Sequence, residues 1–383
     1  MINKTSLRRQ VFSELLESGF EIHNGIPELP SGEPKEVARL LHRKQRENIL
    51  MNSAEFIDKY EDSLIEQFAN GSDISLSNFS ISVNEVLTDE DDRLFKYASL
   101  TWAVPVTSGY GRRTKFLVRD ERTGKLVGIF ALGDPVFNLG PRDEIIGWNK
   151  EDKVDRLFNV MDAFVLGAVD PFRSLIAGKL IALMVVSQEV QATIKLKYAN
   201  KLSVIRQEIK DSTPVLFTTT SALGKSSIYN RIKYEDRLVF RPVGYTKGFG
   251  HFHFSDELFQ ELKELVEDYD DFRTGKFGQG PNYRLRTIRK ALDELGLKGD
   301  MLKHGIQREV YVAPLGLEWS SYLLGQTKRF TPFDYQQQEM VTYWADRWGK
   351  ARLLSRQEVL SFDRNNMRLS IETEKYLSQP RLH

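Results

Sequence analysis

Between residues 157 and 220 two strongly apolar runs are separated by a loop and one long stretch of helical periodicity. LFNVMDAFVLGAV has the β-branched and aromatic content of a buried strand. DPFRSLIAGKLIALMVVSQEVQATIKLKYANK repeats its apolar positions every three or four residues, the spacing of one helix face. TPVLFTTTSAL reads as a strand again. A strand, a loop, a helix and a further strand commit the middle of the chain to a sheet covered by helices.

The surroundings extend this layer. KFLVRDERTGKLVGIFALGDPVF predicts two strands, over Phe116–Val118 and Leu126–Leu132, joined by a turn at Glu121–Gly124 and stopped by Gly133-Asp134-Pro135. GKSSIYNRI reads as a short helical piece and LVFRPVGYTKGFGHFHF as one or two more strands. Residues 34–70 carry helical spacing, with Pro34 at the first turn, Gly71 as a C-cap, and Leu40, Leu41, Leu50, Leu64 and Phe68 on the buried face. Past Ser255, an expected N-cap, Leu258, Leu262 and Leu265 mark another helix, and NYRLRTIRKALDELGL a second that stops near Gly296. QREVYVAPL is a short strand, and Tyr343, Trp344 and Trp348 are aromatic anchors of the tail. The expected class is α/β (α+β): a helical region over 1–94, a central mixed-sheet domain over 95–255 and a helical region over 256–383.

Lys and Arg number 54 against 53 Asp and Glu, so net charge points to no polyanionic partner and any basic footprint has to be local. The chain has no cysteine, which excludes disulfides, thiolate nucleophiles and Cys-ligated zinc or iron–sulfur centres. MINKTSLRRQVF offers no signal-peptide core, and Leu180–Val186 falls far short of the roughly 20 residues a membrane span needs. A cytoplasmic protein without a membrane partner is expected.

Five blocks carry a family resemblance: SGYGRRTKFLV, GKLVGIFALGDPVFNLGPRDEIIGW, TTTSALGKSSIYNRI, GYTKGFGHFHF and HGIQREVYVAPL. In this order, from Ser108 to Leu315, they resemble the DruA-like domain family of the Druantia anti-phage systems. The resemblance implies an antiviral setting and other Druantia proteins as partners, a helicase-like subunit among them, but no settled activity. A weaker resemblance concerns fold: the strand–helix order is similar to the GNAT acyltransferases and to the Mom-like proteins that modify phage adenine. That fold places (Gln/Arg)-x-x-Gly-x-(Gly/Ala) at a helix N-terminus, where backbone N–H groups receive a pyrophosphate. Here Arg173 and Gly178 fit, but Ile176 stands at the first glycine, where a β-branched side chain obstructs a phosphate. No cofactor is named by the sequence.

Candidate chemistry gathers at strand ends. Asp134 is a candidate general base, Arg142 an anion clamp and Trp148 a base-stacking surface; an Arg–Asp pair that only pins a loop is the ordinary alternative. Asp162, inside an apolar strand, and Tyr229 complete the acid/base candidates. Thr218–Ser221 followed by Lys225, Ser226 and Arg231 resembles a phosphate-contacting turn, but Thr219 replaces the glycine that a nucleotide-hydrolysing P-loop needs. Arg112 and Arg113 beside Gly109-Tyr110-Gly111, with Arg173 and Lys179, are further phosphate contacts. GYTKGFGHFHF interleaves glycine, aromatics and Lys247 in a manner suited to base stacking. The basic run Arg284, Arg286, Arg289 and Lys290 adds to the local charge. His251 and His253 lack an evident third ligand unless Asp134 or Asp162 supplies it, and no metal site is expected. Three functions compete: a nucleic-acid-modifying transferase on phage DNA, a non-catalytic nucleic-acid grip that recruits the helicase-like partner, and a scaffold for proteins alone.

Overall fold

The structure, a computed structural model, describes residues 3–109, 111–201, 208–267, 283–297 and 299–377; Tyr110 lies outside them. Seven strands form one mixed sheet: β1 (Ile81–Glu85), β2 (Arg113–Asp120), β3 (Leu126–Gly133), β4 (Val160–Ala168), β5 (Leu216–Thr220), β6 (Arg241–Tyr245) and β7 (Glu309–Pro314). Their order across the sheet is β1-β2-β3-β4-β5-β7-β6. Every neighbouring pair is antiparallel except β4 and β5, which run parallel. A parallel pair needs a crossover, and the long periodic stretch supplies it.

That crossover is two helices rather than the single one its periodicity predicts, α7 (Ala177–Val185) and α8 (Gln188–Tyr198), divided where the Ser187 hydroxyl caps the second. All nine α7 residues are buried, because this helix lies against β3 and β4. Earlier in the chain run α1 (Lys4–Glu17), α2 (Pro34–Met51), α3 (Ala54–Ile65), α4 (Asp89–Leu100), α5 (Gly140–Ile146) and α6 (Lys150–Arg156). On the sheet face away from α7, α4 packs on β2 and β3, and α5 on β6 and β7. Helices α9 (Asp256–Val266) and α10 (Tyr283–Glu294) follow β6. Short helices run on to Leu377, and no described helix is long and apolar enough to cross a membrane.

Two cores result. One lies under α7 and receives Trp344 and Tyr335 from the tail. The other joins Leu7 and Val11 of α1 and Leu41 of α2 to Leu258 and Leu262 of α9 and Ile288 of α10. The sheet also takes β1 from a stretch expected to be helical: ISVNE is short and pairs on one side only, so its strand signal is weak. Gly71 caps no helix. It opens a short 3₁₀ turn, and a Cβ there would stand 2.2 Å from the Val359 carbonyl oxygen, so the tail crosses at a distance only glycine permits. Of the face expected to be buried, Leu41, Leu50, Leu64 and Phe68 are buried and Leu40 is half-buried.

Candidate functional site

The parallel pair is registered only from Val160↔Leu216 to Asp162↔Thr218. Beyond it β4 continues to Ala168 without a β5 partner, while β5 stays paired with β7 through Thr220. The two strands therefore splay toward their carboxyl ends. Asp162 and Thr218 are the last matched residues before the opening, and the Thr218 hydroxyl donates to the Asp162 carboxylate at 2.6 Å. Burial pushes the Asp162 carboxyl up to about 6, against the downward pull of the Thr218 hydrogen bond and of Arg142. A half-buried carboxylate with this value can take or give a proton near neutral pH.

Tyr229 stands after β5, buried, its phenol hydrogen-bonded to Thr219 and pushed up to about 12 by burial. It is neutral at pH 7. Its ring meets Tyr311 at 5.2 Å and Phe240 at 5.4 Å. Tyr311 leads to a network that sequence reasoning missed. Its hydroxyl donates to Glu309, receives the Ser226 N–H at 3.1 Å, and shares Glu309 with the Tyr245 hydroxyl at 3.2 Å. The available signal was the one carboxylate in the otherwise apolar EVYVAP. The Ser226 hydroxyl accepts from the Ile228 and Tyr229 N–H groups, so it starts the local turn.

Because β3 runs against β4, its last residue Gly133 pairs with Asp162, and the chain beyond it heads toward Val160, at the amino end of the parallel pair and away from the splay. Asp134, Arg112, Arg142 and Trp148 gather there, and their partners are internal. Asp134 accepts the Arg112 backbone N–H at 3.0 Å and its Nε–H at 2.6 Å, while the guanidinium stacks 3.8 Å from the Phe158 ring centre. Arg142 is fully buried; it donates to Asp143 and to the Val136 and Phe137 carbonyls. Lys153 joins Asp143 at 2.9 Å. Trp148 is buried and donates to the Leu323 carbonyl at 2.8 Å. Arg142 and Trp148 therefore pin a loop rather than face a ligand, which corrects their expected roles as clamp and stacking surface. Arg113 is exposed.

Strands β4, β5 and β6 all end at the splayed edge, and the remaining cations collect on it. Arg173 follows β4, exposed and 3.3 Å from Asp170. Lys225 and Arg231 follow β5, both exposed, and Lys247 follows β6, also exposed. Lys179 is buried with its ammonium 4.4 Å from the Trp348 ring centre; burial, then Arg231 and Arg347, lower its pKa. Ile176 holds φ 60°, the backbone its missing glycine would favour.

Past β6 the chain forms no strand at His251–Phe254. Instead His251, His253, His304 and His42 gather around Phe252 and Arg308. Arg308 donates to His42 at 3.0 Å, and the Phe252 and His42 rings stack at 4.2 Å. Asp134 and Asp162 do not join His251 and His253, since their strand positions and partners lie elsewhere, and among the described residues no three His, Asp or Glu side chains are placed to hold a metal.

Comparison with known proteins gives a consistent answer. The family model described as Druantia protein DruA matches residues 33–325. A Druantia protein DruA of Escherichia coli (strain UMEA 4076-1) is 40% identical over 326 residues, covering 84% of this chain and 80% of that protein. No solved structure matches.

Proposed function

The chain belongs to the DruA family and is a component of a Druantia anti-phage system, and on that premise we propose that it grips nucleic acid along the splayed edge of its sheet. One observation carries this reading: the ribbon that continues β6. Tyr245, Lys247 and Phe249 alternate outward, exposed, while Thr246, Gly248 and Gly250 turn inward. The inward residues are tied to the chain before β7. Thr246 N–H donates to Arg308, Gly305 N–H to Gly248, and Gly250 N–H to Leu302, at 2.9 to 3.0 Å. A Cβ on Gly248 would meet the Gly305 backbone at 2.9 Å. Two rings that are 46% and 42% exposed flank a lysine on a fixed backbone, and Arg289 stands 5.4 Å over Phe249. Such a ribbon suits bases that stack on the rings and phosphates that meet the cations. Lys225, Arg231 and Arg173 extend it across the ends of β5 and β4. Phage DNA is the expected ligand and a helicase-like Druantia subunit the expected partner.

The test is binding of a DNA fragment to the full chain across a salt series. Lys225→Ala with Lys247→Ala should weaken binding about tenfold and lower the salt slope by about 2. Phe249→Ala should weaken binding with no change in slope. Unchanged affinity in both variants would exclude this edge.

A second reading, nucleic-acid modification, is favoured by the strand order with its single parallel pair, which supports the likeness to the GNAT and Mom-like fold. Asp162 is then the acid/base residue. Asp134 stands too engaged with Arg112 for that role, and Tyr229 is a neutral donor. Loss of phage protection in a folded Asp162→Asn chain that still binds DNA would favour it.

A further inference from the structure

A cavity of about 510 Å³, open to solvent, lies where α1 and α2 meet the turn at His251–Glu257 and the first turn of α10. We infer that it takes one unstacked nucleobase with its sugar, an inference that rests on the nucleic-acid grip proposed above.

Position is the first argument. The ribbon bearing Phe249 runs directly into the cavity wall at His251. Helix α10 spans both places: Arg289 stands over Phe249 and Arg284 lines the cavity, about 7.5 Å apart along the helix axis. A strand held on the edge needs to move only one nucleotide out of line to reach it.

Wall chemistry is the second. Helix α2 and its C-cap Asn52 present one face to the cavity, with Leu41, Lys44, Gln45, Asn48, Ile49 and Asn52 at helical spacing. Three of these six are carboxamides, which can donate and accept together, as a base edge requires. Gln45 already accepts from His42 at 3.0 Å, whereas the Asn48 and Asn52 carboxamides have no partner among the described residues. Across the cavity stand His251, Phe252 and His253. His253 is 5% exposed and its Nε2 meets the Met301 carbonyl at 2.8 Å. A carbonyl only accepts, so Nε2 carries the proton and Nδ1 is a bare acceptor, without a partner; His251 Nδ1 has none either.

Charge is the third, and it selects the base over the phosphate. Four carboxylates, Glu14, Glu17, Asp256 and Glu257, line the cavity against two cations. Lys44 pairs with Glu17 at 3.5 Å, Arg284 with Asp256, and Glu14 holds the Ser255 N–H at 3.0 Å and hydroxyl at 2.6 Å. The wall is left net negative. It repels phosphate, which the cations outside receive, and admits a neutral ring.

The experiment uses the full chain and a single-stranded oligonucleotide carrying one 2-aminopurine, with binding and fluorescence followed together. Binding should change the fluorescence as the base leaves its neighbours. Asn48→Ala with Asn52→Ala, and separately Asn48→Trp to fill the space, should abolish that change and weaken binding about tenfold at an unaltered salt slope. Free deoxynucleosides should compete for the signal. No fluorescence change at saturation, or a change that both variants retain, overturns the cavity and leaves the edge grip standing. Competition by arginine amide in place of deoxynucleosides would assign the cavity to a basic protein side chain and also overturn it. Failure of the oligonucleotide to bind at all overturns both.

Discussion

Asp162 shows how one position can be costly to the fold and useful to chemistry. Its carboxyl stands near 6 when folded against an ordinary value of 3.8, so the folded chain holds that proton more tightly than the unfolded one. The stability this adds is complete below about pH 4 and is lost as pH rises through 6. Asn keeps an acceptor for the Thr218 hydroxyl and carries no charge at any pH. Asp162→Asn should therefore raise the melting temperature at pH 8, by of order 1 kcal/mol in stability after allowing for partial exposure, and the gain should shrink below pH 6 and be gone below about pH 4. Thermal unfolding at pH 8 and at about pH 3.5 checks this; a variant that melts with or below the parent at pH 8 refutes it. Legibility differed from residue to residue. A carboxylate in an apolar run is visible in VMDAFVL, so Asp162 stands out in the sequence as a costly position. Arg142 and Trp148 were misassigned because sequence reports that a residue is charged or aromatic, not that its partners are one residue away in Asp143 or far off in the Leu323 carbonyl.

At the scale of elements, the tail is fixed by one buried group. Glu61 of α3 accepts the Tyr97 hydroxyl at 2.7 Å and the Leu369 and Ser370 N–H groups at 2.6 and 3.2 Å. Burial raises its pKa, and the bonds from Ser370, Tyr97 and Leu369 more than reverse this, leaving it lowered. Its contribution is thus present above about pH 4.5 and lost as pH falls below that. Glu61→Ala takes the acceptor from the Tyr97 and Ser370 hydroxyls, the Leu369 and Ser370 N–H groups and Arg368, and should cost about 2–4 kcal/mol, with the segment from Arg364 to Leu377 becoming the first cut in limited proteolysis. Uniform cleavage along the chain, or a cost below about 1 kcal/mol, would count against that role. Elements with strong periods, such as β3, β4 and α7, were legible. The strand β1 was not, because only its pairing with β2 shows it; nor was the break at Ser187, which takes a cap in place of a breaker.

Over the whole molecule, the sheet core and the helical core differ in what acid does to them. The helical core borders His42, His253 and His304. Burial lowers His42 and His253 to about 4 and His304 to about 3, and the neighbouring Arg308 pushes His42 and His304 the same way. His42 is held neutral by geometry as well: Gln45 takes its Nδ1–H, and Arg308 donates to Nε2, leaving no room there for a second proton. A histidine lowered in this way binds its proton more readily when unfolded. The stability is therefore present above about pH 6.5 and drains away as pH falls toward 4. Over that interval hydrogen exchange should quicken first in α1, α9 and α10, while β2, β3 and β4 stay protected. His42→Gln should hold α1 and α2 in place to lower pH than the parent does, because it keeps an acceptor for Arg308 and nothing to titrate. Exchange that quickens equally in both cores would mean that they open as one unit. In that event the ribbon at Tyr245–Gly250, tied to the chain beside Arg308, could not be loosened by acid without loss of the sheet.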